Sequence, residues 1–101
     1  MMEGVPIKYR LFELLDGGDA WTDELVPKIL EEYSMNYSYA RDHVNFYLLE
    51  FVSGGFVSEA DFKVDEDGHY KQGALLTKYS LTPAGKAIYA KLQKTVNKKF
   101  R

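Results

Sequence analysis

The chain has 101 residues and no cysteine, which excludes disulfides and thiolate metal sites. It has only two histidines, His43 and His69, and neither has the spacing to another ligand that a zinc site requires. No apolar run approaches the roughly 20 residues of a membrane-spanning helix. The start, "MMEGVPIKYR", lacks the apolar middle of a signal peptide. Together these absences predict a soluble, cytoplasmic protein with no membrane association. There is no phosphate-binding glycine loop and no Ser, His and Asp arrangement that nominates a triad, so neither enzyme activity nor a cofactor is expected. "DFKVDEDGHY" carries acids at 61, 65 and 67 and a glycine at 68, but it lacks the full spacing and the terminal glutamate of a calcium loop.

A further absence divides the chain. Residues 83–101 contain no acid and six bases: Lys86, Lys91, Lys94, Lys98, Lys99 and Arg101. Residues 1–82 hold 7 Lys and Arg against 15 Asp and Glu, a balance of −8. Such a split suits either a nucleic-acid surface or a basic helix docked on its own acidic body. With 46% hydrophobic and 15% aromatic residues, the chain has the material for one folded domain, 1–101.

What is present falls into periodic segments. In "VPIKYRLFELLDGG", Pro6 suits a first helical turn, Ile7, Leu11, Leu14 and Leu15 form one stripe, and Gly17 and Gly18 supply the stop. In "WTDELVPKILEEY", Thr22 is the expected N-cap and Leu25, Ile29, Leu30 and Tyr33 the stripe. Pro27 lies past the first turn there, which implies a late start or a kink. After a short turn at "SMN", Ser38 or Asn36 caps a third helix whose core face is Ala40, Val44, Tyr47, Leu48 and Phe51. Gly54 and Gly55 end it. "FVSEADFKV" and "LLTKYSL" read as two strands joined near Asp67-Gly68. Thr82 and Pro83 then open a last helix with Ala84, Ala87, Ile88, Leu92 and Val96 on one face.

Two stretches carry a resemblance. "LLEFVSGGFVSE" is similar to the junction of recognition helix and first wing strand in winged helix-turn-helix transcription regulators. "KYSLTPAGKAIY" resembles that family's Y-x-L-T-x-x-G closure, where the second wing strand runs into the C-terminal helix. MarR-like, PadR-like and archaeal single-domain winged-helix groups share these features. The resemblance implies an α+β fold of three helices, a two-stranded β-hairpin wing and a C-terminal helix. The helix-turn-helix would span about 22–53, the wing about 56–82 and the last helix about 83–98.

The resemblance further implies a DNA-binding regulator that reads duplex DNA with its third helix. Arg41, Asp42 and Asn45 would then lie on the reading face, Arg41 suited to guanine and Asn45 to adenine. Tyr37, Ser38 and Tyr39 at the helix start would meet phosphates, as would Lys63, Lys71 and Lys78 in the wing, with His69 beside them. The family is usually dimeric, so a homodimer is expected through Tyr9, Phe12, Ile88, Leu92 and Val96; the alternative is that the aromatics form a second layer of the chain's own core. The wing itself is acidic: residues 58–68 hold Glu59, Asp61, Asp65, Glu66 and Asp67 against Lys63. A tip of that sign repels phosphate. It favours a second reading, an interaction module that holds a protein partner by its acidic wing or aromatic surface.

Overall fold

The computed structural model describes the backbone of residues 5–100 and the side chains of residues 5–97, so the side chains of Lys98, Lys99 and Arg101 lie outside the described residues. The order of elements is α1 (Ile7–Asp16), β1 (Ala20–Trp21), α2 (Thr22–Glu32), α3 (Ala40–Ser53), β2 (Val57–Val64), β3 (Leu75–Leu81) and α4 (Pro83–Phe100). Among the described residues the fold is α+β, with four helices and one antiparallel sheet of three strands ordered β1-β3-β2. The third strand corrects the two-stranded expectation. Ala20 and Trp21 pair with Tyr79 and Lys78 of β3, and two residues are too few to leave a period in the sequence.

α1 lies against α4, β3 and α2, and partners on several sides widen its buried arc. Leu11 and Leu15 are buried as the stripe predicts, but so are Tyr9 and Phe12, while Ile7 and Leu14 are only half-buried. Tyr9 meets Tyr89 of α4 at 5.5 Å between ring centres, and Phe12 stacks on Phe51 of α3 at 4.4 Å. Burying each such side chain contributes roughly 1.5–3 kcal/mol. Arg10 forks onto both oxygens of Glu32 at 2.7 and 2.8 Å and reaches Glu13 at 2.9 Å, so α1 is also tied to α2 by charge. The Arg10 hydrogen bonds hold the Glu32 carboxyl below its ordinary range, against the opposing effect of burial.

The N-cap of α2 is Trp21, one residue earlier than expected, and its N–H donates to the Glu24 carboxylate at 2.9 Å. Thr22 is buried instead. Its hydroxyl accepts the Thr77 N–H at 3.0 Å and faces the Thr77 carbonyl at 3.2 Å, pinning the start of α2 to β3. Pro27 sits inside a continuous helix, where the lost N–H bond and ring clash cost about 3 kcal/mol. Burial of Leu25, Val26 and Ile29 offsets that cost.

The link to α3 is longer than "SMN". It runs from Tyr33 to Tyr39 and turns at Ser34, whose φ of 53° lies in the left-handed region. Ser38 therefore precedes α3 without capping it, and Tyr39 takes the N-cap position. α3 itself buries Ala40, Val44, Leu48 and Phe51, with Tyr47 half-buried, along the predicted stripe.

At the far end of α3 the chain turns through Gly54 and Gly55 into β2. Thr82 caps α4: its hydroxyl accepts the Gly85 N–H at 3.0 Å and donates to the Gly55 carbonyl at 2.7 Å. α4 then buries Gly85, Tyr89 and Val96, leaving Ile88 and Leu92 half-buried and Ala84 and Ala87 exposed. That face is rotated from the predicted one, because Tyr89 rather than Ile88 meets Tyr9.

Candidate nucleic-acid interface

Five of the residues that the sequence nominates, Ser38, Arg41, Asp42, Asn45 and Lys71, lie where α3 approaches the loop between β2 and β3. α3 turns its core stripe inward, so Arg41, Asp42 and Phe46 face out and Asn45 lies at the edge. The loop, residues 65–74, folds back toward them. It is not the tight turn that Asp67-Gly68 suggests. It is organised by Asp65, which is 3% exposed. One Asp65 carboxylate oxygen accepts the Gly68 N–H at 3.1 Å; the other accepts those of Tyr70 and Lys71 at 2.9 and 2.7 Å. Its backbone exchanges bonds with Ala74 and Gly73. Gly68 and Gly73, with φ of 75° and 79°, make the tight path possible. Asp65 was expected at an acidic tip; it is an internal hub, and only Glu66 and Asp67 of that run are exposed.

Burial opposes ionisation of Asp65, but the N–H donors of Lys71, Tyr70 and Gly68 and the nearby His69 outweigh it and hold its carboxyl below the usual range. His69 sits between two carboxylates. Its Nε2 bonds Asp23 of α2, and its Nδ1 lies 3.3 Å from Asp65. The bond to Asp23 raises the His69 pKa, aided by the charge of Asp65 and opposed by burial and Lys63.

The next residue, Tyr70, closes the loop onto α3. Its carbonyl accepts Arg41 Nη1 at 2.9 Å, and the Arg41 guanidinium lies over its ring at 4.6 Å. Asn45 lines the same groove beside it. Burial pushes the Tyr70 phenol above its ordinary pKa, against the opposing effects of Asn45 and the Arg41 charge. Between helix and loop lies a groove of about 450 Å³, lined by Ser38, Arg41, Asp42, Asn45, Lys71 and Leu75 among others.

Of the residues expected at the site, Ser38, Arg41, Asp42, Asn45 and Lys71 thus meet at one groove. Lys63 and Lys78 do not line it: Lys63 lies over the Trp21 ring at 4.3 Å, and Lys78 pairs with Trp21 and Asp61 in the sheet. Tyr37 and Tyr39 stand in the link before α3, their rings 4.6 Å apart, with Tyr37 bonded to His43 Nδ1 at 2.6 Å. Tyr47 bonds the other nitrogen of His43 at 2.9 Å. Sequence reasoning missed Asp23, Asp65 and Tyr70. The only signal was an aromatic residue in an otherwise polar loop.

The expected dimer residues divide in two. Tyr9, Phe12 and Val96 are core residues of this chain, covered by its own elements. Ile88 and Leu92 are half-buried. Beside Ile88 a shallow apolar groove of about 240 Å³ runs between Phe56, Ala84, Ala87 and Lys91. Phe46 and Leu49, 58% and 56% exposed, stand near the centre of the outward face of α3.

No family model and no curated protein sequence matches the chain. Solved structures similar to it include the following two. A candidate transcriptional regulator from Thermoplasma acidophilum superposes with a TM-score of 0.67 at 21% identity, covering 90% of this chain and 80% of that one. A transcriptional regulator from Clostridium thermocellum superposes with a TM-score of 0.59 at 19% identity, covering 93% of this chain and 88% of that one. At these identities the likeness is one of fold.

Proposed function

We propose that the chain is a DNA-binding transcriptional regulator of winged helix-turn-helix architecture. It is one cytoplasmic domain, 1–101, in which α2 and α3 form the helix-turn-helix, β2 and β3 the wing, and α3 enters the major groove of duplex DNA. The observation that carries this reading is the meeting of Ser38, Arg41, Asn45 and Lys71 at one groove beside α3. Those groups can bond base edges and phosphates together. The regulators from Thermoplasma and Clostridium support it by fold. Asp42, Glu66 and Asp67 stand nearby, so few phosphates are neutralised and phosphate affinity is modest, with a shallow dependence on salt.

A homodimer would add the exposed lysines of α4, with Ala84, Ala87, Ile88 and Leu92 as the contact face. Mobility shifts with genomic fragments at two salt concentrations test the reading. Arg41→Ala and Asn45→Ala should each lower discrimination between sequences by about 1–3 kcal/mol, and Lys71→Ala should weaken all sequences alike. No shift at low salt would overturn it. Light scattering tests the dimer, with Ile88→Lys expected to give monomers.

One observation favours a second reading, a module that holds a protein partner: the exposed Phe46 and Leu49 on the outward face of α3. That reading predicts a partner whose capture is lost in Phe46→Ser with Leu49→Ser, and no DNA shift.

A further inference from the structure

We infer that Tyr70 is a positioning residue for base reading: it holds Arg41 in one arrangement, and the bridge of His69 to Asp23 and Asp65 holds Tyr70 in place. This rests on the DNA reading proposed above and names how its specificity is set. Arg41 and Asn45 stand four residues apart on α3 and line one groove with Tyr70, to which Arg41 is bonded. A free arginine carries rotamer entropy, which a reader must lose on docking. Here the Tyr70 ring and carbonyl have already fixed the guanidinium, using one donor, Nη1. Its other donors remain for a guanine edge, because Arg41 is exposed. Fixing this side chain before encounter favours the matched base pair over the rest without adding a contact to DNA.

The loop needs an anchor on α2 to do this. His69 supplies it across the gap between α2 and the Asp65 hub. The charged groups around His69 are Asp23 on α2 and Asp65 in the loop, which favour its cation, and Lys63 on β2, which opposes it. Arg41 and Asp42 on α3 face Tyr70 beside it. The anchor is strongest while His69 is protonated, so specificity should depend on pH where the lysines and arginines of a DNA surface do not titrate.

The test begins with selection of a preferred sequence from a random duplex pool. The affinity of that duplex is then compared with that of an unselected duplex of equal length. Tyr70→Ala should lower the specific-to-random ratio about tenfold while leaving the random-duplex affinity nearly unchanged. Tyr70→Leu, which keeps the bulk and the carbonyl and loses the aromatic ring under the Arg41 guanidinium, should lower it about threefold, and it serves if the alanine variant fails to fold. The wild-type ratio should fall between pH 6 and pH 9, and His69→Gln should be low and flat. The glutamine variant also separates His69 from His43, the other histidine. If Arg41→Ala lowers the ratio and neither Tyr70 variant does, the inference fails and the DNA reading stands. If the two affinities fall together in the Tyr70 variants, Tyr70 merely supports the fold and the inference fails. A ratio in the wild type that is flat with pH removes His69 from the device. No binding of any duplex at low salt overturns both the inference and the reading beneath it.

Discussion

At its base the β2–β3 hairpin is held by backbone packed on backbone; at its tip it is held by side chains reaching from distant parts of the chain. The base is the crossing of Gly54, Gly55 and Phe56 with Thr82, Pro83 and Gly85. A Cβ added at Gly85 would lie 2.0 Å from the Phe56 carbonyl oxygen and 2.7 Å from Leu81, so α4 can start there only on a glycine. The tip is the loop around Asp65, where His69 bonds Asp23 across 46 residues and Arg41 bonds Tyr70 across 29. A steric fit tolerates no substitution. A polar network can lose one member and relax, so the base should decide whether the protein folds and the tip how the loop is held on α3.

The largest effect should therefore come from the base. Gly85→Ala puts a methyl group into the Phe56 carbonyl, a backbone group that cannot swing away as the end of the Leu81 side chain can. The expected loss is about 3 kcal/mol or more, a large part of the total stability of a small domain. Denaturant titration measures it, and a midpoint close to that of the wild type would show that the crossing is looser than it looks. Midway along the hairpin, Thr22→Val removes both bonds to Thr77 and leaves a buried N–H and carbonyl to share one lost partner. A loss of about 1–2 kcal/mol is expected in the same titration.

At the tip, Asp65→Asn removes the charge that accepts the Gly68, Tyr70 and Lys71 N–H groups. The melting temperature should fall by roughly 5 °C, with faster hydrogen exchange confined to residues 66–74. Glu66→Gln with Asp67→Asn, both exposed, should shift it by about 1 °C or less. Equal shifts in the two variants would mean that the run of acids acts by net charge alone, and that Asp65 has no special place in it.

The same contrast explains what the sequence could reveal. "LTPAGKA" spells out its own geometry, because the cap at Thr82, the proline after it and the glycine at Gly85 act on neighbours within a few residues. The core stripe of α3 was legible for the same reason: Val44, Leu48 and Phe51 repeat at the helical period. Tyr9 and Phe12 were harder, since α1 has partners on several sides and periodicity reports only one face. β1 was invisible, as two residues carry no period. Arg41, Asn45 and Lys71 could be nominated by residue type and place, and they do share a groove. The attachment of Arg41 to Tyr70 could not be read, because it depends on how a ten-residue loop, 65–74, folds back over α3. Asp65 was misread for a related reason. In sequence it is one of several acids, and only the fold distinguishes the buried one that accepts backbone N–H groups from those facing water.

Within the polar network the smallest effect is also the one that separates tip from base most cleanly, because only the tip contains groups that titrate. The His69 pKa is raised above its ordinary 6.5, so its bridge stabilises the folded chain fully below that pH and the contribution is lost as pH rises through the folded-state value. Asp65 is lowered below its ordinary 3.8, so its contribution is present above that pH and is lost as pH falls through the folded-state value. The tip should thus be firmest between about pH 4 and 6 and loosen on the alkaline side through His69 alone. Thermal melts of the wild type and His69→Gln should differ by on the order of 1–2 °C at pH 5.5 and converge by pH 9. The alkaline limb is assigned to His69 because Asp65 stays ionised throughout it. A gap that stays constant, or that widens toward high pH, would mean that the imidazole acts by shape and not by charge, and the tip would then resemble the base after all.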